Sequence, residues 1–293
     1  MDSEMWPDSV SWTSADGLKL YAQDHIPEGP QTGLPVLCIP GLTRNSRDFS
    51  DIAPRIAAQG RRVLAVDLRG RGLSGRARDP RTYRPDIYAA DMASLLDALG
   101  IARAHVVGTS LGGIVAMAMA GRHSDRVAGA VLNDIGPAAD PAGLARIASY
   151  AGSAPKVANW DDAAGYARHI NGAAFPDYAD ADWMVFATRM FRENAEGIPV
   201  LDYDPAIFKP VPGWAMPVVS LIMWRQFRKL ARQRPVLVLR GARSDILAAK
   251  TVAAMRRAAP HLQTAEIPGV GHAPDLSEPA SLAALDSYFA AVD

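Results

Sequence analysis

Residues 108–113 read Gly-Thr-Ser-Leu-Gly-Gly, and this G-x-S-x-G pattern decides how the rest of the chain is interpreted. The short β-branched run at 105–107 predicts a buried strand before it. Residues 114–120 contain neither Gly nor Pro and predict a buried helix after it. A sharp turn from strand to helix would hold Ser110 in a strained conformation, with its hydroxyl exposed at the edge of a sheet. The flanking glycines leave such a tight turn free of side-chain clashes.

Strand and helix patterns alternate on both sides of this turn. The predicted strands are residues 10–13, 18–25, 36–39, 63–66, 104–107, 127–132, 236–239 and 263–267. The predicted helices are residues 49–59, 87–99, 111–122, 247–259 and 281–291. The first two strands flank an Asp-Gly turn and predict an antiparallel hairpin. The remaining alternation predicts an α/β fold, with a mostly parallel central sheet of about eight strands and helices on both faces.

The alternation is interrupted between the sixth and seventh predicted strands. This stretch, residues 136–234, lacks a convincing strand pattern and holds 13 of the 21 aromatic residues. An aromatic-rich helical insertion at this point predicts a cap over a ligand cavity. We therefore expect a core domain of residues 1–135 and 235–293 and a cap of residues 136–234. The candidate substrate contacts in the cap are Trp160, His169, Trp183 and Trp214, although the aromatic rings alternatively form the insertion's own core.

Composition narrows the class of protein. The 293 residues are 49% hydrophobic, and Lys plus Arg equals Asp plus Glu at 31 each, so we expect neither a nucleic-acid nor a membrane partner. The single cysteine, Cys38, rules out an intrachain disulfide and reads as a buried strand residue. Residues 1–6 lack the basic and apolar regions of a signal peptide, which predicts a cytoplasmic protein. We expect no cofactor and no metal site, and the oligomeric state stays open.

A serine nucleophile requires a base, and the base requires an orienting acid. Of the six histidines, His272 lies in a Pro- and Gly-containing loop after the last predicted strand, at the edge where open sheets gather their functional groups. Asp245 lies in the loop after the preceding strand, and the chain order Ser110, Asp245, His272 is typical of this motif. Asp134, directly after the 127–132 strand, is the alternative acid.

Acyl transfer also requires backbone N–H groups that stabilise an oxyanion. The residue after the nucleophile, Leu111, is expected to supply one. The second is expected from Leu42, in the loop after the 36–39 strand.

With these motifs in place, the chain resembles the α/β-hydrolase-fold family with a helical cap. Residues 67–74, Asp-Leu-Arg-Gly-Arg-Gly-Leu-Ser, resemble the family's D-x-R-G-x-G-x-S loop, and Gly271-His272 resembles its terminal Gly-His. The resemblance implies the same roles for Ser110, Asp245, His272, Leu42 and Leu111. The chain departs from the family pattern at two positions, with Pro40 and Arg71 where histidine is usual.

The expected activity is hydrolysis of a carboxylic ester or lactone through an acyl-serine intermediate, on a small to medium apolar substrate. Two other reactions fit the same three residues, namely carbon–carbon bond hydrolysis of a vinylogous diketone and cofactor-free perhydrolysis. A third alternative is a ligand receptor of the same fold with little turnover.

Overall fold

A computed structural model describes residues 8–152, 155–208 and 213–292. Within these ranges, eight strands form a central sheet: β1 (Ser9–Thr13), β2 (Lys19–His25), β3 (Val36–Ile39), β4 (Val63–Asp67), β5 (Ala104–Thr109), β6 (Val127–Asn133), β9 (Val236–Gly241) and β10 (Gln263–Ile267). Two further strands, β7 (Phe191–Glu193) and β8 (Pro199–Leu201), form a separate antiparallel ribbon. Residues 1–6, from which the sequence predicts the absence of a signal peptide, lie outside the described residues.

The strand order in the large sheet is β1-β2-β4-β3-β5-β6-β9-β10. β1 pairs with β2, and β2 with β4, in antiparallel fashion. The other five pairs of neighbouring strands are parallel, so the predicted mostly parallel sheet is confirmed. The carboxyl ends of these parallel strands meet at one edge of the sheet, which is where ligands bind in open α/β folds.

Nine α-helices lie in the described ranges: α1 (Ile52–Ala57), α2 (Pro85–Ala98), α3 (Leu111–Arg122), α4 (Pro141–Tyr150), α5 (Trp160–Asn171), α6 (Asp180–Met190), α7 (Met216–Ala231), α8 (Ala249–Ala258) and α9 (Pro279–Ala290). Helix α3 and strands β3 and β10 have their predicted bounds. Helix α1 is shorter than the predicted 49–59 because a 3-10 turn at Ser46–Phe49 precedes it.

Both faces of the sheet are buried, as expected for parallel strands covered by helices. Val106 of β5 packs into the apolar layer that contains α2, α3, α7 and α8. Its neighbour Val107 packs into the opposite layer, with α1 and α9, because successive side chains of a strand point to opposite faces. Cys38 is fully buried in the second layer, and burial raises the pKa of its thiol. The position of Cys38 is therefore a packing position.

The chain between β6 and β9 contains helices α4 to α7 and the β7–β8 ribbon. The expectation that this insertion lacks strands is wrong for β7 and β8, which at three residues each are too short to show a period-two pattern. Phe175, Trp183 and Phe191 form part of an apolar cluster within the insertion. Among the described residues, no helix has the length and apolarity needed to cross a membrane.

A buried guanidinium group links the β4 loop to two other elements. Arg69 follows β4 with a side chain only 1% exposed, and it donates to both carboxylate oxygens of Asp91 on α2, at 2.7 and 2.6 Å. It also donates to Asp16 in the β1–β2 turn, at 2.8 and 3.1 Å. The hydrogen bond from Arg69 lowers the pKa of Asp16 to about 2. Asp91 is buried whereas Asp16 is half exposed, so their contributions to stability should differ.

We expect Asp91→Ala to lower the free energy of unfolding by about 3–5 kcal/mol, because it removes one partner of a buried ion pair. Asp16→Ala should cost less than about 1 kcal/mol, since solvent screens an exposed pair. The Asp16 contribution is present above the unfolded pKa near 3.9 and is lost as the pH falls through about 2. Urea unfolding at neutral and acidic pH measures both effects, and equal costs for the two substitutions at neutral pH would contradict the assignment.

Candidate active site

Ser110 lies at the turn between β5 and α3, at the carboxyl edge of the sheet. Its φ of 51° is in the left-handed region that side chains other than glycine rarely adopt. Its backbone N–H donates to the Asn133 carbonyl at 2.9 Å, which ties the turn to the end of β6. A Cβ atom at Gly112 would overlap the backbone carbonyl of Ile39, so α3 can pack this close to β3 only with glycine there. The predicted strained turn from strand to helix is present.

His272 lies in the loop after β10, and its Nε2 atom is 2.9 Å from Oγ of Ser110. Two hydrogen bonds hold this loop. The Gly271 N–H donates to the carbonyl of Ala174 in the insertion at 2.7 Å, and the Asn133 side-chain amide donates to the Pro274 carbonyl at 2.8 Å. Core and insertion therefore both position the imidazole.

The structure corrects the expected partner of this histidine. Nδ1 of His272 lies 2.7 Å from Oδ2 of Asp134, the alternative acid. Asp134 follows β6 directly, with a φ of 54°, and its side chain is fully buried. Its carboxylate also accepts hydrogen bonds from the Gly241 N–H at 2.9 Å and the Ser244 hydroxyl at 2.6 Å. These donors fix the carboxylate in the orientation that faces the imidazole.

Asp245 instead forms an ion pair with Arg146 of α4, at 2.6 and 2.9 Å. The hydrogen bond from Arg146 lowers the pKa of Asp245. Strand position explains the difference, because β6 is the sheet neighbour of the Ser110-bearing strand β5, whereas β9 lies one strand further away. The loop after β9 still contributes to the site, through Ser244 rather than Asp245.

The two predicted oxyanion donors come from two different elements of the fold. Leu111 is the first residue of α3, where backbone N–H groups have no partner within the helix. Leu42 follows β3 and lines a cavity together with Ser110. Arg71, where the family usually has histidine, is 1% exposed and donates from Nε to the Leu42 carbonyl at 3.0 Å. Its Nη1 donates to the Tyr88 hydroxyl at 2.9 Å. Arg71 therefore anchors the loop that carries Leu42.

A cavity of about 110 Å³ lies in front of Ser110 and His272. The loop after β3 forms one wall of this cavity. The insertion forms another, with Ile147, Tyr150, Asn171, Phe175, Phe186 and Arg189. These insertion residues were missed by the sequence analysis, which selected Trp and His because of residue type.

The four predicted substrate contacts lie outside the lining of this cavity. Trp183 is 3% exposed and packs against Phe175 and Tyr178 in the core of the insertion. Trp160 donates from Nε1 to Glu193 at 2.9 Å. His169 is exposed on α5, and Trp214 is 84% exposed. The alternative interpretation, in which the aromatic rings pack within the insertion itself, is the correct one for Trp183.

A family model described as alpha/beta hydrolase fold matches residues 35–279. The chain belongs to the α/β-hydrolase family. Both the predicted membership and the predicted fold class are thereby confirmed.

Individual relatives of this hydrolase cover nearly its whole length. It is 32% identical over 260 residues to the 3-hydroxybutyrate-oligomer hydrolase of Cupriavidus necator, covering 87% of each chain. The crystal structure of an α/β hydrolase from Novosphingobium aromaticivorans has 42% identity and a TM-score of 0.89, covering 97% of this chain and 98% of that one. The structure of E-2-(acetamidomethylene)succinate hydrolase shares the fold, with a TM-score of 0.76, 22% identity and coverage of 97% and 100% of the two chains.

The contact between Ser110 and His272 predicts a serine that reacts with a fluorophosphonate. We expect a single adduct in the intact mass of the wild-type hydrolase, because an adjacent imidazole activates the hydroxyl. Ser110→Ala should abolish the adduct, whereas Ser9→Ala, at an exposed position on the edge strand β1, should retain it. An adduct that persists in Ser110→Ala would contradict this prediction.

Proposed function

We propose that this α/β hydrolase cleaves a carboxylic ester or lactone through an acyl-serine intermediate. The observation that carries the proposal is the continuous chain of contacts from Ser110 through His272 to Asp134, with separations of 2.9 and 2.7 Å. Each residue comes from a different loop at the carboxyl edge of the sheet. The arrangement suits a nucleophile, a general base and an acid that orients the base.

In the proposed first step, Oγ of Ser110 attacks the carbonyl carbon of the ester while its proton moves to Nε2 of His272. The new C–O bond leaves an electron pair on the former carbonyl oxygen. The N–H groups of Leu42 and Leu111 are proposed to stabilise this oxyanion. Asp134 stabilises the imidazolium through Nδ1.

In the proposed second step, the imidazolium donates its proton to the departing alkoxide, and the alcohol leaves the acyl-serine. Water then attacks the acyl carbon and gives a proton to His272. The tetrahedral intermediate collapses, His272 returns the proton to Ser110, and the carboxylic acid is released.

Two observations support a small ester as substrate. The Cupriavidus necator relative is named for hydrolysis of 3-hydroxybutyrate oligomers, and units of a hydroxy acid are joined by ester bonds. The cavity in front of Ser110 measures about 110 Å³, which favours a short acyl chain over a long one. We further propose that residues 136–234 act as the cap, because Phe175 and Phe186 line the cavity from that side.

The acid assignment is tested by comparing Asp134→Asn with Asp245→Asn. We expect the first to lower kcat/KM by about 10³- to 10⁴-fold, because an amide favours the wrong imidazole tautomer. The second should stay within about tenfold of wild type, since the Asp245 carboxylate is hydrogen-bonded to Arg146 rather than to His272. Steady-state kinetics on one ester measures both, and a larger loss in Asp245→Asn would restore the original assignment.

The reaction itself is tested with p-nitrophenyl esters of two to eight acyl carbons. We expect kcat/KM to peak at two to four carbons and to fall roughly tenfold or more by octanoate, because a small pocket rejects added methylene groups. Ser110→Ala should reduce turnover to background.

The outcome also separates the alternatives that share these residues. A Ser110 adduct without ester turnover would overturn the esterase and favour the carbon–carbon hydrolase or the receptor. Faster formation of peracid than of acid in the presence of hydrogen peroxide would favour the perhydrolase.

A further inference from the structure

The cavity in front of Ser110 contains a second functional group, the guanidinium of Arg44. Arg44 lies two residues after Leu42, in the loop that follows β3, and lines the cavity with Ser110. A Cβ atom on Gly41 would lie 3.5 Å from Cγ of Arg44 and 3.9 Å from Cβ of Ser110. The stem of Arg44 and the side chain of Ser110 therefore both border Gly41.

Two contacts fix the orientation of this guanidinium. Nε of Arg44 lies 2.9 Å from Oδ2 of Asp48, and Nη2 lies 2.5 Å from Oδ1. The ring of Phe186 lies 4.3 Å from Cζ, at the distance of a cation–π contact. The side chain is 14% exposed. The Arg44 guanidinium is thus held in one plane before any ligand arrives.

The remaining nitrogen of the group, Nη1, is buried and has no hydrogen-bond partner among the described residues. A buried donor without an acceptor is costly. Both oxygens of Asp48 are already bound by Arg44. The other acid of the lining, Asp275, accepts hydrogen bonds from Tyr178 and Ser277. Nη1 of Arg44 is therefore a hydrogen-bond donor that a ligand could satisfy.

A second cation adds positive charge to the wall of the cavity. Arg189 of α6 lines the cavity and donates from Nη2 to Asp51 at 2.7 Å. The Asp51 side chain is 64% exposed, so solvent screens its charge. Arg44 and Arg189 together favour an anionic acceptor over a neutral one.

We infer that Arg44 binds a free carboxylate on the substrate, so that the preferred substrates are short esters that also carry a carboxylate. This inference rests on the proposed ester hydrolysis and narrows its substrate class. A carboxylate fits because its oxygens accept from a planar guanidinium without rearrangement. It also satisfies Nη1 of Arg44, a buried donor without a hydrogen-bond partner among the described residues.

The test compares monoethyl succinate with ethyl 4-oxopentanoate, a neutral ester of the same shape in which a methyl group replaces the carboxylate oxygen. We expect the wild-type enzyme to prefer the anionic ester by about tenfold or more in kcat/KM, the size of one hydrogen bond to a charged group. The double variant Arg44→Met/Asp48→Asn, which removes the pair without changing net charge, should abolish the preference. Arg44→Lys should also reduce it, because an ammonium group cannot reproduce the planar contact.

The matched control is Arg55→Met/Asp286→Asn, an exposed pair of the same type that joins α1 to α9. It should keep the full preference. Wild-type hydrolysis of the neutral ester without preference for the anionic one would overturn the inference and leave the proposed function standing. A preference for the anionic ester that survives in both Arg44 variants would also overturn the inference and leave the proposed function standing.

A binding measurement tests the carboxylate site independently of ester hydrolysis. Calorimetry of Ser110→Ala with monoethyl succinate should show binding that Arg44→Met/Asp48→Asn, added to that background, weakens about tenfold or more. Such binding without turnover in the wild type would overturn the esterase and retain the carboxylate site. Absence of binding together with turnover of the neutral ester would overturn the carboxylate site and retain the esterase.

Discussion

The carboxylate of Asp134 connects the loops on which the site depends. It accepts hydrogen bonds from Gly241 at the end of β9 and from Ser244 in the loop that follows, and it contacts His272 after β10. Asp134 itself follows β6, whose last residue, Asn133, accepts a hydrogen bond from the backbone N–H of Ser110. Because a buried carboxylate without donors would be strongly destabilising, these contacts hold the three loops at fixed distances around the nucleophile.

The sequence was most informative where local pattern alone specifies structure. Strand β3 has its predicted bounds because its four apolar residues lie between Pro35 and Pro40, and helix α3 begins directly after the Ser110 turn. The Ser110 turn was predictable because the flanking glycines allow the tight turn that the G-x-S-x-G motif requires. The choice between Asp134 and Asp245 required the strand order, which chain order does not contain.

The insertion was less predictable because composition does not say which way a ring points. Trp183 and Phe186 lie one helical turn apart on α6, yet Trp183 is buried in the insertion whereas Phe186 lines the cavity. The expectation of an apolar pocket also overlooked Arg44, whose guanidinium is held in position by Asp48 and Phe186. Arg71 is similar, because only the fold shows that its guanidinium holds the Leu42 carbonyl.

The hydrogen bond between Gly271 and Ala174 connects the insertion to the loop that carries His272. The imidazole is one residue away from this bond, so an outward movement of the insertion that keeps the bond would also move the base away from Ser110. Opening of the cavity and separation of His272 from Ser110 would then occur together, so that the serine would lose its activating base when the cavity opens.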